Sequence, residues 1–171
     1  MDGHWSADVY HELSHRDFAA VATVPSAALS PLLALCAEPY EPRLVTLTTE
    51  EEGIGLVTGL WAGGRRAMLA MQSSGVGNCV NALSLPAAMR APCLMLVTMR
   101  GEWGEGNPWQ VPMGQGTEPV LRAMGVLTYR AETAEDVAPT LAAAADLAWE
   151  SRRTAAVLVS QRVTGAKGFG R

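Results

Sequence analysis

Positive charge is scarce in this chain of 171 residues, which has a single lysine, Lys167, and a formal net charge of −4 at pH 7. The arginines are scattered along the sequence and form no basic run. A nucleic-acid-binding surface needs a concentrated basic face, because its affinity comes from Lys and Arg contacts with phosphates. The composition therefore excludes nucleic acid from the expected partners.

Cysteine is also sparse: Cys36, Cys79 and Cys93 are odd in number, widely separated and set mostly among apolar residues. This pattern fits reduced thiols in a core better than a disulfide framework or a zinc site. His11 and His15 have the i, i+4 spacing of helical metal ligands, but no clear third ligand accompanies them. We expect no metal site on this chain and a cytoplasmic location.

The sequence lacks an unbroken apolar run of the length that a membrane helix needs, about 20 residues. One uncharged stretch, residues 18–37, is interrupted by Pro25 and Pro31. The segment before it is acidic, whereas a secretory leader begins with basic residues. Membrane spanning and secretion are both disfavoured.

What is present is enough apolar material for a core, since 49% of the residues are hydrophobic and only 18% are charged. Strand-like and helical segments alternate, which predicts an α/β fold: a single domain whose mostly parallel central sheet is covered by helices on both faces. The domain is expected over residues 1–163, followed by a flexible tail over 164–171. Strands are predicted at 18–24, 43–47, 67–71, 93–99, 126–130 and 154–160, and helices at 5–16, 26–37, 76–89, 117–124 and 133–151, with a further helix from the Glu-rich segment to Gly63.

A glycine-rich run over residues 101–116 breaks the periodic pattern and also carries Trp103 and Trp109. Long segments without secondary structure are uncommon in compact domains, and many of them bind ligands. We therefore expect this run to be a mobile loop in contact with a ligand.

An acidic cluster, Glu50, Glu51 and Glu52, begins the helix that follows the second predicted strand. Acidic residues favour the first turn of any helix, so a purely structural explanation stays open. Glycines follow within the same helix, and each costs roughly 1 kcal/mol relative to alanine. Glycines that are kept in a helix despite this cost indicate that a neighbouring segment or a ligand packs closely against it.

The segment 72–78 connects the third predicted strand to a helix, the position at which parallel sheets place ligands. It matches neither the P-loop nor the dinucleotide fingerprint, and an ordinary tight turn remains an alternative. Ser73 and Ser74 also lack the G-x-S-x-G context of a hydrolase nucleophile.

Segments 50–59 and 71–78 together resemble the pyrimidine-binding domain of thiamine diphosphate-dependent 2-oxoacid decarboxylases, a family whose substrates include sulfopyruvate and phosphonopyruvate. The resemblance extends over most of the chain and implies a fold of the thiamine diphosphate pyrimidine-binding type. In that family a Glu at the start of this helix hydrogen-bonds the aminopyrimidine of the cofactor and activates it. The interval to Gly59 selects Glu50 for that role, with Glu51 as the alternative.

The same resemblance implies further residues that bind the cofactor and the substrate. A substrate with an anionic tail favours a guanidinium, and the local candidate is Arg100. The cofactor-binding residues implied are Val24, Pro25, Ser26, Gln72, Ser73, Ser74, Gly75 and Asn78, and the candidate substrate-binding residues are Arg100, Asn107 and Gln110.

The chain has no Gly-Asp-Gly followed by Asn, the family's signature for binding the diphosphate and magnesium. The resemblance therefore implies an alpha subunit that shares thiamine diphosphate with a beta subunit, which carries Mg²⁺ and completes the active site in a homo- or hetero-oligomer. A small anionic 2-oxoacid such as sulfopyruvate is the expected substrate. Alternatives are a phosphonopyruvate decarboxylase subunit, a noncatalytic module with this fold, and an unrelated flavodoxin-like nucleotide-binding domain.

Overall fold

A computed structural model describes residues 4–166 of the chain. Within that range the chain folds into six strands and eight α-helices, with one 3₁₀ helix at Pro108–Gln110. The strands are β1 (Phe18–Thr23), β2 (Arg43–Thr46), β3 (Arg66–Gln72), β4 (Cys93–Thr98), β5 (Leu127–Ala131) and β6 (Thr154–Val159). The helices are α1 (His4–His15), α2 (Ser30–Cys36), α3 (Glu50–Ala62), α4 (Ser73–Cys79), α5 (Ser84–Met89), α6 (Val111–Ala123), α7 (Ala134–Ser151) and α8 (Gln161–Thr164).

All six strands are parallel and form one sheet in the order β2-β1-β3-β4-β6-β5. Every residue of β1, β4 and β6 is buried, as expected for strands covered on both faces. One apolar core lies between the sheet and α1, α2 and α7, and a second lies between the sheet and α3, α4 and α6. The predicted fold class is confirmed.

None of the helices within residues 4–166 has the length and apolar character needed to cross a bilayer. Of the tail predicted over 164–171, Thr164 is the last residue of α8, and residues 167–171 lie outside the described range.

The prediction of one helix over 76–89 is wrong, because the chain forms two helices there, α4 and α5. Pro86 explains the break: it has no amide hydrogen for a bond to the carbonyl four residues earlier, so it is tolerated only in the first turn of α5. At the other end, α4 begins at Ser73, so Ser73 to Gly75 form its first turn rather than a loop.

The prediction of a loop over 101–116 is wrong in its second half, because α6 begins at Val111. Gly114 lies inside this helix and packs against the backbone of Arg100, where a Cβ atom would overlap the Arg100 carbonyl group. Gly114 therefore permits a close helix-to-strand-end contact and is not a turn residue. The irregular segment is limited to residues 101–107.

The glycines of α3 differ in what surrounds them, and this difference predicts opposite effects of alanine. A Cβ atom on Gly53 would overlap Leu69 and lie 2.9 Å from Cδ1 of Leu47, whereas one on Gly59 would meet no atom within 4 Å. Gly53→Ala should lower the free energy of unfolding by about 1–3 kcal/mol through overpacking. Gly59→Ala should raise it by about 0.5–1 kcal/mol, because helical glycine is entropically costly. Urea unfolding of both variants measures this, and equal effects would contradict the packing described.

Candidate active site

The predicted cofactor residues meet at one edge of the sheet. Strands β2, β1 and β3 are adjacent, and their carboxyl ends lead into Glu50, the segment 24–26 and α4 respectively. The Leu47 amide donates to the carbonyl of Thr23 at 2.9 Å, which aligns the end of β2 with the end of β1. Ligands of open parallel sheets bind at this edge.

The three glutamates of the acidic cluster have different environments. Only 7% of Glu50 is exposed, whereas Glu51 and Glu52 are exposed to solvent. A carboxylate oxygen of Glu52 accepts a hydrogen bond from the Thr48 amide at 2.9 Å, so Glu52 ties the first turn of α3 to the residues that precede it. This local contact of Glu52 does not explain the burial of Glu50.

The Glu50 carboxylate lies against the first turns of α4. The side-chain amide of Asn78 donates a hydrogen bond to Oε2 of Glu50 at 2.8 Å. On the other side, a Cβ atom on Gly75 would lie 2.5 Å from Oε1 and 2.6 Å from Cδ of Glu50. Glycine at position 75 is therefore what allows the carboxylate to occupy this place between the two helices.

The charges recorded near this site are acidic, since Glu50 and Glu51 both act on the thiol of Cys79. Among the ion pairs of the described residues, none involves Glu50. Burial, with Glu50 and Glu51 nearby, raises the pKa of the Cys79 thiol to about 12. Cys79 is therefore a neutral wall of the site and not a nucleophile.

Two hydroxyl groups at the same edge are buried and have no hydrogen-bond partner within residues 4–166: Oγ of Ser26 and Oγ1 of Thr49. Thr49 occupies the N-cap position of α3, but its side chain makes no capping bond. Buried polar atoms are normally paired, so an unpaired one needs an explanation. A hydrogen bond to a bound molecule would provide one for these two hydroxyls. Val24 is half-buried and Pro25 is exposed beside Ser26.

The residues at the start of α4 divide between structural and open positions. Ser73 is fully buried, its Oγ accepts from the Arg100 amide at 3.1 Å, and its carbonyl accepts from Oγ1 of Thr117 at 3.3 Å. Ser73 therefore ties α4 to the end of β4 and to α6. Gln72 and Ser74 are half-buried, and Gln72 makes no side-chain cap for α4.

Arg100 is paired within the chain. Its Nε and Nη2 donate to the two carboxylate oxygens of Glu105 at 2.7 and 2.6 Å, and the two side chains are only 11% and 4% exposed. The amides of Gly101 and Asn107 and the Nε2 of Gln161 also donate to this carboxylate, at 3.1, 3.0 and 2.9 Å. The hydrogen bonds from Arg100 dominate and hold the pKa of Glu105 far below its usual range.

Glu105 and Gln161 are residues that sequence reasoning missed. Gln161 is fully buried, and its Oε1 accepts from the amides of Glu102 and Trp103 at 3.0 and 3.1 Å. It follows β6, which lies next to β4, so the rule that carboxyl ends meet at one edge could have found it. Together the two side chains hold residues 101–107 against the end of the sheet.

The other two candidate substrate residues lie along the same segment. Oδ1 of Asn107 accepts from the Trp109 amide at 3.2 Å, so this side chain caps the 3₁₀ helix. Oε1 of Gln110 is buried without a partner in the described part of the chain. Trp109 itself is 86% exposed. Of the three predicted residues, Gln110 alone has a buried side-chain oxygen or nitrogen without a partner within residues 4–166.

A cavity of 570 Å³ lies elsewhere, lined by residues 15–17 and 64–66. These residues precede or begin β1 and β3, so the cavity is at the amino edge of the sheet, opposite Glu50. Arg16 and Arg65 in its wall are already paired with acidic side chains. We therefore place the candidate active site at the carboxyl edge of the sheet, where Glu50 lies, and not in this cavity.

No family model matches the chain. Sequence comparison shows similarity to sulfopyruvate decarboxylase subunit alpha of Methanococcus maripaludis, with 32% identity over 155 residues, 90% of this chain and 93% of that protein. The corresponding subunit of Methanocaldococcus jannaschii is 33% identical over 77% of this chain and 78% of its own length. Phosphonopyruvate decarboxylase of Streptomyces viridochromogenes is 34% identical over 68% of this chain, which corresponds to 30% of that longer protein.

A solved structure shares the fold. The 2-oxoglutarate:ferredoxin oxidoreductase of Magnetococcus marinus superposes with a TM-score of 0.70, covering 94% of this chain and 29% of the oxidoreductase chain. Sequence identity is 17%, so this likeness supports the fold alone.

The Glu105 carboxylate predicts acid-sensitive stability. Because its pKa is lower in the folded than in the unfolded chain, its ionisation stabilises the fold above the unfolded value, and this contribution is lost as the pH falls toward the folded value. Glu105→Gln should lower the free energy of unfolding at pH 7 by about 3–5 kcal/mol, since it leaves the buried Arg100 unpaired. Urea unfolding from pH 7 down to pH 3 should also show a shallower acid decline in this variant.

Glu150→Gln, on the exposed side of α7, is the matched control and should keep both the stability and the slope of the unaltered chain. An unchanged acid slope in Glu105→Gln would contradict the stabilising role given to this carboxylate.

Proposed function

This chain belongs to the family of sulfopyruvate decarboxylase alpha subunits, and we propose that it is the alpha subunit of a split, thiamine diphosphate-dependent decarboxylase. The substrate would be an anionic 2-oxoacid such as sulfopyruvate, converted to sulfoacetaldehyde and carbon dioxide. The observation that carries the proposal is the buried Glu50 carboxylate, held between Asn78 and Gly75 at the carboxyl edge of the sheet.

The residues around Glu50 fit an aminopyrimidine ring. A carboxylate without an ion pair is free to accept a hydrogen bond from a protonated ring nitrogen, and Gly75 leaves space beside it. The unpaired hydroxyls of Ser26 and Thr49 offer polar contacts at the same edge. We assign the remaining wall of the cofactor site to Val24, Pro25, Gln72, Ser73 and Ser74.

When bound, thiamine diphosphate supplies the electron sink that allows carbon dioxide to leave. Glu50 holds a proton at the pyrimidine nitrogen and so sets the protonation of the ring. Its low exposure strengthens this interaction, because water that would screen the carboxylate is excluded. The chain contributes the binding and orientation of one half of the cofactor.

A beta subunit would hold the other half. This sequence has no Gly-Asp-Gly followed by Asn, so we place the diphosphate and Mg²⁺ on a second polypeptide. Relatives that are named alpha subunits support this assignment. The proposal includes a domain over residues 1–163, an oligomeric enzyme with its site between subunits, and a cytoplasmic location.

The substrate side of the site is assigned to the segment from Arg100 to Gln110, including Asn107. Glu105 neutralises the guanidinium of Arg100, so the partner subunit would supply part of the positive charge for the anionic tail. The resemblance to phosphonopyruvate decarboxylase keeps phosphonopyruvate as the second candidate substrate.

The exposure of the three glutamates predicts which substitution abolishes turnover. Glu50→Gln should reduce carbon dioxide release from sulfopyruvate by at least about 100-fold, the scale of a lost acid–base group. The exposed Glu51→Gln is the control and should stay within about threefold of the unaltered enzyme, judged by the small effects of surface substitutions. Both are measured with the beta subunit present. Normal decarboxylation by Glu50→Gln, or full activity of the chain alone, would refute the proposal.

Gly75 and Gly77 form a second matched pair. A Cβ atom on Gly77 would meet only Sδ of Met113 at 3.6 Å, an ordinary contact, whereas one on Gly75 would displace the Glu50 carboxylate. The displaced group is the end of a flexible side chain, so Gly75→Ala should keep the fold and lower the turnover number by at least about tenfold, as misplaced catalytic groups do. Gly77→Ala should change it little. Thermal unfolding and carbon dioxide release separate the two effects, and equal turnover in both variants would contradict the packing role of Gly75.

A further inference from the structure

Asn78 lies at the end of α4 and makes one side-chain hydrogen bond in the described structure, to Glu50. The bond joins two helices across 28 positions of sequence, with Nδ2 of Asn78 at 2.8 Å from Oε2 of Glu50. The sequence resemblance implied a contact between Asn78 and the cofactor. The contact that the fold provides is with the carboxylate.

A single donor on one carboxylate oxygen has a defined effect. The last torsion of a glutamate side chain is broad, so the plane of an unbonded carboxylate rotates readily. Here Asn78 holds Oε2, and Gly75 packs over Oε1, Cγ and Cδ. Within residues 4–166 no donor is hydrogen-bonded to Oε1, so the bond fixes the orientation of the group and leaves one oxygen for another molecule.

The chemistry of the donor also matters. An amide is neutral and donates without forming an ion pair, whereas a Lys or Arg at this position would favour the ionised carboxylate and weaken it as a base. Asparagine therefore orients Glu50 without placing a charge beside it. An aspartate has the same shape but offers no donor, and it would bring a second negative charge to the same place.

We infer that Asn78 is a positioning residue, which acts on the reaction through Glu50 and does not contact the cofactor. It presents Oε1 of Glu50 in a fixed orientation. The inference rests on the proposed role of Glu50 in cofactor activation.

A double-mutant cycle of Asn78→Ala and Glu50→Ala, in the alpha subunit reconstituted with its beta subunit, tests this. In the presence of Glu50, Asn78→Ala should lower kcat about tenfold to a hundredfold, the scale of a hydrogen bond to a charged group. KM for the 2-oxoacid should stay within about twofold, since Asn78 does not touch substrate in this account. Calorimetry gives the second readout: in the Glu50→Ala background, Asn78→Ala should change the Kd of thiamine diphosphate by less than about twofold.

Asn78→Asp tests the same inference without altering Glu50, and it remains informative if Glu50→Ala fails to fold. A role that depended on side-chain shape alone would leave kcat unaltered. A positioning role predicts a kcat at least as low as that of Asn78→Ala, because aspartate offers no donor to Oε2 of Glu50 and adds a negative charge beside it. Gln115→Ala removes an exposed amide from α6 and controls for amide loss in general; its kcat should match the unaltered enzyme.

Three results separate the possible failures. Equal weakening of thiamine diphosphate binding by Asn78→Ala with and without Glu50 would show a direct cofactor contact and overturn the inference alone. Unaltered kcat in Asn78→Asp would also overturn it. Full carbon dioxide release by Glu50→Ala would overturn the proposed function itself, and with it the premise of this inference.

Discussion

The arrangement at the carboxyl edge of the sheet depends on keeping one carboxylate, that of Glu50, out of water without an opposing charge. A buried carboxylate is costly unless it is hydrogen-bonded, and here Asn78 supplies the single described donor. Room for the group exists only because residue 75 has no side chain. The site needs a glycine at position 75, an amide at position 78 and the start of a helix at Glu50. The relative positions of α3 and α4, and of the strands β2 and β3 that lead into them, are therefore tightly constrained.

A second buried carboxylate, Glu105, has the opposite character. It receives hydrogen bonds from Arg100, two backbone amides and Gln161, and the whole group serves to fix residues 101–107. Because the Arg100 amide also donates to Ser73, this fixed segment is connected to the start of α4. The contrast is functional in our account: Glu105 is fully satisfied by the chain, whereas Glu50 keeps one oxygen available.

Much of this organisation was predictable from sequence, and the failures have physical causes. The apolar strands and their alternation with helices can be recognised from local sequence periodicity, so the parallel sheet was predicted correctly. The start of α4 was missed because Ser73, Ser74 and Gly75 have low helix propensity and are held in a helix by tertiary contacts. Glu105 was missed because its partners come from the strand end, its own loop and α8, which no local pattern brings together. Sequence left Glu50 and Glu51 as alternatives; the structure gives them different exposure, and the catalytic role of Glu50 stays a prediction.

The central claim is that the oxygen of Glu50 left free by Asn78 meets the aminopyrimidine of the cofactor. A crystal structure of the alpha subunit with its beta subunit, thiamine diphosphate and Mg²⁺ would test it most directly. Our account predicts a pyrimidine ring nitrogen about 2.6–3.2 Å from Oε1 of Glu50, the reach of an acid–base hydrogen bond, with Asn78 still bonded to Oε2. A cofactor whose pyrimidine contacts Glu51, or lies at any other edge of the sheet, would contradict it.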